Sequence, residues 1–291
     1  MKSALSTIAS LLREQTVPVD RFLQQVEAHR VINPFQYPGD LRGSDPIPGD
    51  LWKANGIRRL VLDHVHFGPA PASLPTILSG CSLIEFADWV EADSAPGSWD
   101  CFYSQVIKPL NKRDFQFIFH LGDSAKKRFF EVDEVLDIIG DYSSYGHVIL
   151  MLSNLEADHL WCRLNGRDPM TFVPGFGTPA PGDRYLSLFN AMSIDALVVL
   201  GDSSAMHFSR EGQFDVGKKT PAGVGATANH RGMFSVGYQL GLLLRLDAPR
   251  CTALGLALSG SYPGPMASVP TSALLLEFIC NWLSLLYFRT A

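Results

Sequence analysis

Between Asp114 and Gly166 the sequence spells out a strand-helix-strand-helix order, which restricts the chain to folds whose strands are covered by helices. Phe115-Gln116-Phe117-Ile118-Phe119-His120-Leu121 has the length and aromatic content of a buried strand. Val132, Val135, Leu136, Ile139 and Tyr142 then recur at helical spacing, and His147 to Leu152 forms a second strand-length apolar run. The next helix is marked at both ends. Ser153-Asn154-Leu155-Glu156 fits a capping box, in which Ser153 and Glu156 satisfy each other's orphan amides, and Asn165-Gly166 supplies a left-handed stop. Leu160, Trp161 and Leu164 on that helix read as core.

Upstream, residues 3–14 and 19–31 have helical spacing, and the Pro/Gly-rich stretch from Asn33 to Gly56 reads as an extended connector. Strands are expected over 58–67 and within 81–90. Residues 167–182 hold four prolines and three glycines, which places a domain boundary near Pro174. Beyond it the pattern predicts a helix (184–192), a strand (195–200), a hairpin (205–209 and 213–217), a Gly-rich turn and a long helix (about 230–244). A strand (252–259) and a terminal helix (273–288) complete it. The expected fold class is α/β with mixed sheets, in two lobes joined by a Pro/Gly-rich linker: 1–174, of sensing or regulatory type, and 175–291.

Charge excludes one class of partner. The formal charge of −5 is spread along 291 residues without a basic stripe, so nucleic acid is not the expected partner. With 46% hydrophobic and 18% charged residues the chain has apolar surface enough to fold. The five cysteines are scattered with no CxxC pair, which fits reduced, cytoplasmic thiols rather than a zinc knuckle or disulfide framework. Hydroxyls interrupt the N-terminal apolar run, arguing against a signal peptide. Glu277, Asn281 and Ser284 stripe the terminal apolar segment, arguing for a buried or oligomer-forming helix over a membrane span.

The C-terminal block carries the principal chemical candidate. Ala222-Gly223-Val224-Gly225-Ala226-Thr227-Ala228-Asn229-His230-Arg231-Gly232 would aim free amides and a basic pair at a helix start, a phosphate cradle. Asp195, opening a strand, could hold a divalent cation. This order resembles the diadenylate cyclase domain, which condenses two ATP into cyclic di-AMP. Asp195-Ala196-Leu197 would match that family's Asp-Gly-Ala strand, Thr227-Ala228-Asn229-His230-Arg231-Gly232-Met233 its phosphate element, and Leu258-Ser259-Gly260 its strand-ending serine. The resemblance implies a nucleotidyltransferase: Asp195 with Mg²⁺ or Mn²⁺, Thr227, His230, Arg231 and Ser259 on the nucleotide, and a homo-oligomer facing two ATP sites. The substitutions within both elements equally fit a non-catalytic regulatory protein on that scaffold.

A second constellation is His64-Val65-His66. Two strand histidines at i and i+2 share a face and fit the His-x-His opening of metal-dependent hydrolases, with His120, His147, His159 and Asp202 available as further ligands. Gly201-Asp202-Ser203-Ser204 falls short of a nucleophile elbow, because Ala205 stands where the last glycine is needed.

Overall fold

The computed structural model describes residues 59–62, 78–79, 82–86, 89–90, 96–175, 177–218, 230–243, 245–259 and 286–290. Contacts gather the chain into two compact units, Val31–Val199 with Phe208–Glu211, and Met1–Arg30 with Leu200–His207 and Gly212–Ala291. The first unit runs across Pro174, so residues on both sides of that expected boundary pack in one body.

In the first unit β1 (Arg59–Leu62), β2 (Leu83–Phe86), β3 (Phe115–His120), β4 (Gly146–Ser153) and β5 (Ala196–Leu200) lie side by side in chain order. The pairs β1–β2, β2–β3 and β3–β4 are parallel, with Glu85 opposite Ile118 and His120 opposite Met151. Parallel pairing requires crossovers, which helices supply. α1 (Pro96–Phe102), a π-helical turn (Tyr103–Ile107) and α2 (Lys108–Leu110) join β2 to β3, and α3 (Phe129–Asp141) joins β3 to β4.

Aromatic packing holds the strands to these helices. Phe86 stacks on Phe119 at 4.3 Å between centroids and meets Trp99 and Tyr142 edge-on. The buried Tyr142 hydroxyl donates to Trp99 O at 2.7 Å, so a polar atom inside that cluster is satisfied. Val132, Val135, Ile138 and Ile139 form the buried face of α3, close to the expected stripe.

α4 (Asn154–Leu164) starts where the capping box was read: Ser153 N donates to Glu156 Oε2 at 2.8 Å and Glu156 N to Ser153 Oγ at 3.3 Å. Gly166 follows its end with φ +65°. Buried Arg184 ties α5 (Pro181–Ala191) to α4, donating through Nε and Nη2 to Asp158 Oδ1 at 3.1 and 2.7 Å. Trp161 Nε1 adds a 3.1 Å bond to Ser187 Oγ.

β6 (Ser204–Ser209) and β7 (Gly212–Lys218) stand at the expected hairpin, with Gly212 at φ +136° beside the two-residue loop. In the second unit β7 pairs antiparallel with β8 (Leu286–Thr290), so the fold class is α/β with a mixed sheet. α6 (His230–Leu243) matches the predicted long helix. Two expectations fail here. Residues 252–259 belong to a helix, α7 (Ala248–Ser259), rather than a strand, and 286–290 form a strand where the terminal helix was expected. An unbroken apolar run such as Thr252 to Leu258 suits a buried strand and a buried helix alike, and here Cys251 to Ser259 are buried all round. The helices expected over 3–14 and 19–31, the connector, and most of 273–288 lie outside the described residues.

Candidate functional site

Open parallel sheets bind small ligands outside the carboxyl ends of their strands, because helix amino termini and crossover loops converge there. At the carboxyl ends of these strands the chain brings together two histidine–carboxylate pairs. Glu85, next to last in β2, meets His120, the last residue of β3, at 2.9 Å between Oε1 and Nε2, both side chains being buried. Three residues past β3, Asp123 caps a 3-10 turn (Ser124–Lys126), its Oδ1 accepting from Ala125 N at 3.0 Å. The same oxygen lies 2.7 Å from Nδ1 of His159 on α4. Burial raises the Asp123 carboxyl, but the His159 and Ala125 hydrogen bonds, with the nearby charges of His159 and Lys126, outweigh it and hold its pKa below the ordinary value.

The sequence-predicted residues are placed elsewhere or committed otherwise. Asp195 precedes β5, at the amino end of that strand, where its backbone N–H donates to Val148 O at 3.0 Å and its Oδ2 accepts from Val148 N at 2.8 Å. His147, half-exposed, lies 3.8 Å from that oxygen. The carboxylate thus completes the start of the β4–β5 pairing, where the backbone needs an acceptor. Ser259 is buried at the end of α7, its hydroxyl donating to Leu256 O at 3.0 Å within the helix. His230 and Arg231 open α6 as expected, with Arg231 half-buried. Thr227, His64 and His66 lie outside the described residues. Among the described residues no three His, Cys, Asp or Glu side chains cluster to hold a metal ion. His120 and His159, two of the extra ligands considered for a hydrolase, each face a carboxylate instead.

An open groove of about 610 Å³ lies in the loop between α4 and α5, lined by Arg167, Asp168, Thr171, Phe172, Val173 and Thr178. It contains neither histidine–carboxylate pair, so the strand ends remain the better candidate. Among the described residues no helix is long and apolar enough to cross a membrane.

No protein-family model matches the chain, and no curated protein matches its sequence. Solved structures do match it. A protein described as a sugar kinase from Clostridium perfringens superposes with a TM-score of 0.52 at 12% identity, over 75% of this chain and 59% of that one. One described as ribokinase II from E. coli gives 0.51 at 16%, over 71% and 60%. Ribokinase from Thermotoga maritima gives 0.50 at 13%, over 71% and 59%. The fold is of the ribokinase type. The chain spans 59–60% of the length of these three structures.

The ribokinase-type fold overturns the diadenylate cyclase resemblance, and with it cyclic di-AMP synthesis, nucleotidyl transfer, the signalling role and the non-catalytic version of that scaffold. The resemblance depended on a strand ending in Ser259, and that segment is a helix. The metal-hydrolase alternative on His64 and His66 falls with the same likeness. What sequence reasoning missed was the partners of the histidines. Gly122-Asp123-Ser124 directly after a strand is a turn signature that would have placed a carboxylate at the ligand-binding edge.

Proposed function

We propose that this protein is a phosphotransferase of the sugar-kinase kind, moving the terminal phosphoryl group of ATP to a hydroxyl of a sugar-like substrate. The observation that carries this is the ribokinase-type fold, shared with three solved structures bearing sugar-kinase or ribokinase names. Phosphoryl transfer asks a protein for positioned cations and amides around phosphate oxygens and for a group that accepts the hydroxyl proton. The start of α6 supplies the first in this reading: His230 and Arg231 follow the Gly-rich run 222–229, and a helix amino terminus favours anions. Thr227 would add a hydroxyl donor.

Asp195 does not fit a resident cation, since its Oδ2 is engaged by backbone at the amino end of β5. Magnesium would therefore come with the ATP and supply charge neutralisation to its phosphates, and no described carboxylate is assigned to hold it.

The test is incubation with Mg-ATP and a panel of pentoses and hexoses, reading ADP release, alongside thermal denaturation with and without Mg-ATP. Sugar-dependent ADP formation and a raised Tm are expected. Arg231→Ala should weaken ATP binding about tenfold or more, the worth of one charge-assisted hydrogen bond. The absence of both ADP release and a thermal shift would dismiss the phosphotransferase reading.

A further inference from the structure

The outer side of α3 carries residues that folding of the single chain does not explain. Phe129 and Phe130, its first two residues, are 53% and 60% exposed, while Val132, Val135, Ile138 and Ile139 fill the side turned to the core. Single exposed apolar residues are ordinary; two adjacent phenylalanines framed by charge form a patch. Lys126 and Arg128 stand exposed just before them, and the Arg128 guanidinium lies over the Phe130 ring, 6.0 Å from its centroid. Asp133, Glu134, Asp137 and Asp141 follow Phe130 at helical spacing and are all exposed, so they line one stripe on the side where Phe130 stands. Like charges at those spacings repel, and among the described residues none of the four carboxylates has an ion-pair partner. All of these residues belong to the unit containing Val31–Val199.

A face that is cationic and aromatic at one end and acidic along the rest is selective about what can cover it. An anionic lipid surface would attract the cations and be repelled by the stripe. An acidic peptide would meet the same repulsion. The same face turned through a half-circle matches both signs. In an antiparallel pair of α3 helices the Phe129–Phe130 ends meet near a twofold axis, and Lys126 and Arg128 of each chain lie against Asp133, Glu134 and Asp137 of the other. We infer that α3 is a self-association surface through which two copies of this chain pair. This pairing does not depend on the phosphotransferase reading. The 13 residues of α3 make a contact about 20 Å long, at the low end of interface sizes. The dimer is therefore weak, reversible and loosened by salt.

Sedimentation velocity of the full chain over a range of concentrations should show monomer–dimer exchange, with a dissociation constant that rises several-fold as NaCl goes from about 0.05 to about 0.5 M. Phe129→Ser combined with Phe130→Ser should weaken pairing about tenfold or more, while circular dichroism reports the same fold because both rings are exposed in the single chain. Exchanging charges tests the antiparallel arrangement. One variant carries Lys126→Glu and Arg128→Glu; the other carries Asp133→Lys, Glu134→Lys and Asp137→Lys. Each alone should be monomeric, and mixing the two should restore a dimer, because every end then faces the opposite sign. A wild type that is monomeric at every concentration in low salt would overturn the inference, and co-sedimentation of that monomer with phosphatidylserine vesicles would assign the face to a lipid surface instead. A dimer that none of these substitutions weakens would also overturn it, since the copies would then meet through another face.

Discussion

Asp123 is charged at a lower pH in the folded chain than in the unfolded one, and that difference has a sign. Because hydrogen bonds from His159 and Ala125 hold its carboxyl below the ordinary 3.8, unfolding in that window takes up protons. Its contribution is therefore complete above pH 3.8 and lost as pH falls through the folded value. Urea melts of the wild type and Asp123→Asn should differ most above pH 5 and converge under acid; a gap that widens on acidification would contradict the hydrogen bonding described. A second residue acts through bulk. Gly146 opens β4 with Phe115 O of β3 pressed where a Cβ would stand, and a neighbouring strand's carbonyl cannot rotate away as a side chain can. Gly146→Ala should cost about 1–3 kcal/mol or more in chemical denaturation, through the β3–β4 pairing whose loops carry Asp123.

Among elements, the contact between α6 and α7 is set by missing side chains. A Cβ on Gly237 would lie 2.6 Å from Leu254 O, one on Gly241 2.8 Å from Cys251 Cα, and one on Gly255 2.8 Å from the Phe234 ring. Gly237 and Gly241 are one turn apart on α6, so the two backbones approach along a single stripe. Gly237→Ala gains helix propensity of up to about 1 kcal/mol but meets backbone that cannot yield, and should lose about 1–3 kcal/mol overall. Gly182, in the first turn of α5 with nothing within 4 Å, provides the control: alanine there should stabilise by about 0.4–1 kcal/mol. If both substitutions moved Tm the same way, the close helix contact would be wrong. The same elements explain one misread segment. Asp247-Ala248-Pro249 carries a helix-start signal, and Arg250 N does donate to Asp247 Oδ1 at 3.0 Å, yet the unbroken apolar run after it has no period that tells helix from strand.

At the level of the whole molecule, what could be read in the sequence was local and what could not was distant. The strand order through β4, the capping box at Ser153 and the start of α6 each depend on neighbours within a turn or two, and the structure keeps them. Glu85 and His120 are 35 positions apart and Asp123 and His159 are 36, so only the parallel register brings each pair together and no spacing rule reveals it. Asp195 looked like a ligand because a strand-opening acid was read without knowing which end of the sheet it occupied. Buried thiols turn this division of the chain into a measurement. Cys162 belongs to the unit containing Val31–Val199 and Cys251 to the unit containing Gly212–Ala291, so each reports on one body. Burial, reinforced by Asp158, raises the Cys162 thiol; burial with Asp247 pushes Cys251 up to about 12. At pH 8 a thiol of that pKa has on the order of a thousandfold less thiolate than one at 9, so Cys251 should resist an aromatic disulfide reagent until its unit opens. Labelling across a urea series, with the modified cysteine located by mass spectrometry, should show both thiols protected in native buffer and each released with the unfolding of its own unit. Labelling of Cys251 in native buffer at the rate of a free cysteine would mean that the glycine-lined contact between α6 and α7 is not closed in solution.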